Sequence, residues 1–507
     1  MSIDTPAPSL AVRMAKGAGW IIAGRMCSRV LGIVNTIILV RLLSPADFGL
    51  VALATSLAVS LEALVSVGVN DALIRETEPD RALYDTGFTM NLLRCSFVSL
   101  AILACAVPAA QFFGDPRLTP LLLVVAGMIL ISGFSNIGVV EFRRNLSFDK
   151  EFVIGMVPRI VGILTSIVCA VIFANYWALV AGLVSMRGLA LILTYWMHPY
   201  RPGITLRAWR RIIVFSFWTW LSSIIGMMKE RIDALVIGRV LGPGPVGIYA
   251  IGLEIGTLAS TELLEPLATA MFSGFAAGRR EGADNGQGFF KAISVTLMLT
   301  LPIGIGISLV AAPVINLLFG TRWSEAILLV QVFALLGVTR LIPYFSSVLL
   351  SAHGMLHTQF RISAIGLFVR VVVMLALIGP LGLIGALISA TACAMVEEVL
   401  YLVVTFHVFK LRTIDLLRTT WRSFLAATVM ALVVYAEGIG WAPASHETVP
   451  LLVDQGIAVS SGAATYCGVV LAIWWVCGRP DGAETMLLSI IKDTWRHMAS
   501  NPRGRRA

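Results

Sequence analysis

The stretch Val40-Arg41-Leu42-Leu43-Ser44-Pro45-Ala46-Asp47-Phe48-Gly49-Leu50 is echoed 198 residues later by Gly238-Arg239-Val240-Leu241-Gly242-Pro243-Gly244-Pro245-Val246-Gly247-Ile248. Arg41, Leu43, Pro45, Gly49 and Ala52 recur as Arg239, Leu241, Pro243, Gly247 and Ala250. Each copy joins two apolar runs of about 20 residues, the length a helix needs to cross a hydrocarbon core of roughly 30 Å. A second echo, Phe113-Gly114 and Phe319-Gly320, precedes the fourth and tenth runs. Both echoes recur six runs on. Six is even, so the copies share an orientation, as parallel repeats related by an axis along the membrane normal do.

The runs fall at about 18–40, 48–69, 86–110, 118–140, 151–174, 177–197, 213–238, 246–271, 289–312, 325–350, 358–379, 382–404, 421–441 and 452–477. Apolar residues make up 58% of the chain and charged residues 13%. A soluble protein carries about twice that charged share. Backbone polar groups left open in lipid are costly, so long apolar runs become helices. The alternation of a membrane barrel is absent. The expected fold is therefore an all-α membrane protein with fourteen transmembrane helices. Two parallel six-helix bundles surround a central cavity, and two C-terminal helices are appended. The domains are a six-helix lobe at 1–200, a second at 201–410, two further helices at 411–478, and a basic tail at 479–507.

Alternate connections are basic. They hold Arg75 and Arg81; Arg143, Arg144 and Lys150; Arg201, Arg207, Arg210 and Arg211; Arg279 and Arg280; and Lys410, Arg412 and Arg418. The positive-inside rule places them, and both termini, in the cytoplasm. The formal charge of +9 is thus a matter of topology, and no nucleic-acid partner is expected. The first run is too long for a signal-peptide core and reads as a retained span. Residues 483–498 read as an amphipathic helix with Met486, Leu487, Ile490, Ile491 and Trp495 on one face, suited to an anionic leaflet.

The Arg41–Leu50 stretch, with Val67-Gly68-Val69-Asn70-Asp71-Ala72-Leu73-Ile74, resembles the polysaccharide transporter family of bacterial repeat-unit flippases. That family belongs to the multidrug/oligosaccharidyl-lipid/polysaccharide flippase superfamily. The resemblance implies a bacterial inner-membrane protein that moves undecaprenyl-diphosphate-linked oligosaccharide to the outer leaflet. It further implies a role in exopolysaccharide, capsule or O-antigen assembly, alongside a polymerase and export machinery. Two other readings share the superfamily: a cation-coupled drug exporter and a peptidoglycan-precursor flippase. A membrane-embedded ligase or polymerase is a reading of another class.

Ionisable residues at membrane depth are costly and call for a reason. Arg25, Arg29, Lys229, Arg231, Arg340 and Arg370 all fall within apolar runs. Arginine offers planar, multidentate donors that stay charged, which suits a diphosphate. These six are the candidate head-group ligands of a cationic cavity. Glu62, Glu230, Asp233, Glu397 and Glu398 are candidate coupling groups or structural partners. Lys229 and Asp233, four residues apart, alternatively neutralise each other, and Arg29 alternatively pairs with Glu62 or Glu230.

No glycine precedes any lysine, so a Gly-Lys-Ser/Thr phosphate loop is absent. The outward connections are short and hold isolated charges such as Asp47, Asp115 and Glu447, with no nucleophile–base–acid set. The chain reads as a non-enzyme without cofactor. Its seven cysteines match no metal-ligand spacing. His353 and His357 have a zinc-compatible spacing but no third ligand, so no metal is expected. Pro158, Pro302, Pro313, Pro343 and Pro380 mark candidate kinks.

Overall fold

The structure is a computed structural model. It describes residues 10–65, 69, 73, 76, 80–145, 147–212, 217–258, 260–261, 285–437, 448–479 and 482–485. Among these there is no strand. The helices are α1 (Leu10–Leu42), α2 (Pro45–Leu64), α3 (Arg81–Phe113), α4 (Leu118–Gly133), α5 (Val140–Arg144), α6 (Phe148–Phe173), α7 (Trp177–Met197), α8 (Phe217–Val240) and α9 (Pro243–Gly256). They continue as α10 (Asn285–Val314), α11 (Ala326–Thr339), α12 (Leu341–Ala352), α13 (Leu356–Leu381), α14 (Leu383–Val408), α15 (Thr413–Ala436) and α16 (Thr448–Val476).

The first copy of the turn owes its shape to capping. Ser44 and Asp47 form a reciprocal box at the start of α2, with Asp47 N donating to Ser44 Oγ at 3.3 Å and Ser44 N donating to Asp47 Oδ2 at 3.0 Å. Pro45 sits at the first turn, where no N–H is needed. The second echo also has a structural meaning: Gly114 and Gly320 each end a helix at positive φ, 71° and 90°, where a side chain would be strained.

Among the described residues eleven helices are long and apolar enough to cross a membrane, or twelve if one bent pair counts as a span. They correspond to the first six and last six expected runs. The seventh run is helical as α8, but Lys229, Glu230, Arg231 and Asp233 make it too polar to qualify by composition. The eighth is helical at Pro243–Gly256, and residues 262–284 lie outside the described residues. The amphipathic tail helix lies outside them beyond Thr485.

The fourth run is not the continuous helix expected over 118–140. α4 stops at Gly133, and the chain turns by 66° before Ile137–Arg144. The cause is Asn136, which is fully buried. Its amide Nδ2 donates to the Tyr200 carbonyl at 2.7 Å and its Oδ1 accepts from Gly138 N at 2.9 Å. The second bond satisfies a backbone N–H that the broken helix leaves open, and the first ties the bend to the segment after α7.

The chain divides into two compact units, Met1–Gly247 and Ile248–Ala507. In the first, α6 packs on α7, α3 on α4, α1 on α6, and α2 on α8. Gly162 and Gly182 let α6 and α7 touch: a Cβ on either would sit 2.7–2.8 Å from the other's carbonyl oxygen. Tyr176 N donates to Asp47 Oδ1 at 3.0 Å, so the α1–α2 and α6–α7 turns lie at one end. At the other end His198 Nε2 lies 3.2 Å from Glu141 Oε2, and Tyr200 donates to Asp85. The connections thus alternate between ends, as the charge pattern anticipates.

In the second unit α10 packs on α11 and α15, α13 on α14, and α15 on α16. Its core is aromatic and aliphatic, centred on Phe289, Phe345, Phe406, Met430 and Tyr466. The tenth run is broken at Arg340, which closes α11 and opens α12.

Candidate functional site

Arg25 and Arg29 lie one turn apart on α1. Neither is fully buried; Arg25 is exposed. α1 leans on α6, and there Arg159 reaches it: a Cβ on Gly32 would sit 3.0 Å from an Arg159 guanidinium nitrogen. Gly32 therefore leaves space for a cation at mid-span. α2 carries Glu62 near its C-terminal end, and α8 carries Lys229, Glu230, Arg231 and Asp233. Asp233 is buried at 2% exposure, whereas Glu230 is exposed.

Glu62, Arg94 on α3 and Arg187 on α7 all act electrostatically on Cys95. They form one charged neighbourhood inside the first unit, and Arg94 Nη2 also donates to Asn91 Oδ1 at 3.2 Å. Arg94, Arg159 and Arg187 escaped the sequence reading. Each is a lone arginine in an otherwise apolar run, and average hydropathy hides a single charge. The signal was the same one that marks Arg29: an arginine well inside a span.

In the second unit Arg340 is exposed at the α11–α12 break. Gly366 of α13 is covered by the Glu397 side chain of α14, so a Cβ there would collide with the carboxylate. Arg370 sits one turn further along α13. Glu397 is thereby packed between helices, and Glu398 Oε2 is buried without a hydrogen-bond partner among the described residues. Arg25, Arg29, Lys229 and Arg231 therefore belong to the first unit, and Arg340 and Arg370 to the second.

The isolated acids Asp47 and Asp115 have structural duties. Besides Asp47, Asp115 is bound by Arg117 at 2.7 Å. That guanidinium holds the Asp115 carboxyl below the usual carboxylate range, against the opposing effect of burial. At the basic end, burial and then the Asp85 carboxylate raise the Tyr200 phenol well above its ordinary value. His353 Nδ1 meets the Leu349 carbonyl at 2.9 Å and its ring packs on Phe409, while His357 is exposed. Among the described residues no three His, Cys, Asp or Glu side chains gather as a metal site would need.

Residues 38–328 match the family described as polysaccharide biosynthesis protein. The chain belongs to that family. The resemblance carried by Arg41–Leu50 and Val67–Ile74 is borne out, and the chain is a multi-pass membrane protein of polysaccharide biosynthesis. The lipopolysaccharide biosynthesis protein WzxC of Escherichia coli (strain K12) is 22% identical over 442 residues, which span 85% of this chain and 89% of WzxC. The succinoglycan biosynthesis transport protein ExoT of Rhizobium meliloti (strain 1021) is 24% identical over 315 residues, 62% of this chain and 64% of ExoT. The lipid II flippase MurJ, in an inward closed conformation, shares the fold with a TM-score of 0.69 at 15% identity, over 90% of this chain and 99% of MurJ.

Proposed function

We propose that this family member translocates undecaprenyl-diphosphate-linked oligosaccharide repeat units across the bacterial inner membrane for exopolysaccharide, capsule or O-antigen assembly. The observation that carries this reading is the set of arginines well inside spanning helices: Arg29, Arg94, Arg159 and Arg187 in the first unit, and Arg340 and Arg370 in the second. A diphosphate cannot enter hydrocarbon unpaired, because an isolated buried charge is prohibitively costly. Arginines answer that cost with bidentate, charge-assisted bonds. A drug exporter with cationic substrates would need acids in their place. The names of WzxC and ExoT, and the fold shared with a lipid II flippase, support the same substrate class.

In this reading α8 and α9 complete fourteen spans, the termini lie in the cytoplasm, and the repeats at 1–200 and 201–410 rock to give alternating access. The sugars cross beside the arginines while the prenyl tail stays in lipid. Arg25, Lys229 and Arg231 supplement the head-group site, and Glu397 and Glu398 serve packing or ion coupling. A polymerase and export machinery take up the product. The test is complementation: Arg29→Ala and Arg340→Ala insert normally but fail to restore surface polysaccharide to a deletion strain. Full restoration by both overturns the cationic route.

A further inference from the structure

The second unit holds a cavity of about 820 Å³ at its basic end, lined by none of the arginines just described. Lys291 comes from the second turn of α10, Lys410 and Arg412 from the link between α14 and α15, and Arg418 from α15. All four are exposed. None of the four makes an ion pair among the described residues. The cavity wall holds one acid, Asp415, and a fifth cation, Arg422, which Glu484 neutralises at 3.2 Å.

Several independent features shape this cavity for an anion. Arg412 is the N-cap of α15, a helix of 24 residues, and its side chain does not cap the first amides. Those amides and the helix dipole favour negative charge. Gly482 closes the wall against Arg422, because a Cβ there would lie 2.9 Å from the guanidinium. The cavity is thus completed by the chain that follows α16. Trp421 lines it, and Arg479 stacks over Trp474 nearby in sequence at 5.8 Å, an aromatic–basic pairing typical of the membrane–water boundary. The volume far exceeds one phosphate and suits a drug-sized ligand.

We infer that this cavity is a binding site for a multivalent phosphate group, with Lys291, Lys410, Arg412 and Arg418 as its ligands. The phosphate comes either from a lipid headgroup at that leaflet or from a soluble diphosphate compound. The site is separate from the intramembrane arginines and stands whether or not those carry substrate.

The experiment uses the purified full-length protein. In one arm inorganic pyrophosphate is titrated by calorimetry into detergent-solubilised protein. In the other, nanodiscs of phosphatidylcholine are compared with nanodiscs containing phosphatidic acid, and retained lipid is read by native mass spectrometry. K410A/R412A/R418A should weaken whichever ligand binds by about tenfold to a hundredfold, a loss of about two- to fivefold per charge. Asp415→Asn should tighten it severalfold, since it removes the one acid. Arg117→Ala, outside the cavity and outside the proposed head-group arginines, should leave both readouts unchanged. Pyrophosphate binding identifies a soluble source, and phosphatidic acid retention alone identifies a lipid source. Binding of neither probe, or equal binding by the triple variant, overturns the proposal. Thermal melting of the variants confirms folding, and the opposite sign expected of Asp415→Asn excludes a general loss of structure.

Discussion

Replacing Arg422 by alanine tests how the segment after α16 is held. Arg422 Nη1 lies 3.2 Å from Glu484 Oε1, and the two side chains are 7% and 4% exposed. Glu484 Oε2 is buried with no hydrogen-bond partner among the described residues. Alanine at 422 therefore strands a buried carboxylate with nothing to replace the guanidinium. Breaking a buried pair in this way costs about 3–5 kcal/mol. Replacing both partners by apolar residues of similar size is often near neutral, so Arg422→Met with Glu484→Leu should return to within about 1 kcal/mol of the wild type. Unfolding of the detergent-solubilised protein, followed by tryptophan fluorescence across this double-mutant cycle, reads both values. Wild-type stability in Arg422→Ala, or a double variant that loses the sum of the single losses, refutes the reasoning.

Other expectations follow from contacts at the two ends of the first unit. A Cβ on Gly49 would lie 2.6 Å from the Pro243 carbonyl carbon and 2.9 Å from Gly247 N, so the two copies of the repeated turn touch through their backbones. Gly49→Ala or Gly247→Ala should cost about 1–3 kcal/mol of overpacking, whereas Gly127→Ala, whose Cβ meets nothing within 4 Å, should be nearly silent in the same melts. Tyr200→Phe removes a donor from Asp85, which keeps its bond from Gly203 N at 2.6 Å; a loss of about 1–2 kcal/mol is expected, and none would show that the bond is incidental. Asp115 has its folded pKa depressed by Arg117, so its contribution is present above the unfolded value of about 3.9 and is lost as pH falls through the folded value. Arg117 is 47% exposed, which limits the contribution to under about 1 kcal/mol. The stability gap between wild type and Asp115→Asn should accordingly narrow as pH falls below about 4.

Much of the fold is legible in the sequence because a membrane span is written in bulk composition. Twelve expected runs meet a helix or bent pair that qualifies as a span, and the repeated Pro and Gly positions are caps and close contacts. The bend after Gly133 is not legible, since it depends on Asn136 reaching carbonyls more than sixty residues away. The charges of α8 mark it as unusual in both readings, and for the same reason: a helix with five ionisable groups is poor in hydropathy and rich in candidate ligands. Candidate arginines are legible at Arg25 and Arg29, which fall together, and at Arg340, which stands alone, whereas Arg159 is missed, and only the packing of α1 on α6 reveals its place against Gly32. The basic-end cavity was invisible because its cations come from α10, the α14–α15 link and α15, which read in sequence as ordinary positive-inside loops.

The central claim is that this chain carries lipid-linked repeat units between leaflets. Its most direct measurement is the leaflet distribution of those units in spheroplasts of a deletion strain, read by their accessibility to an externally added glycan-oxidising reagent. The account predicts that repeat units accumulate and stay protected from the reagent, and that wild-type protein restores their exposure while Arg29→Ala does not. Normal exposure of repeat units in the deletion strain, with surface polysaccharide unchanged, would contradict it.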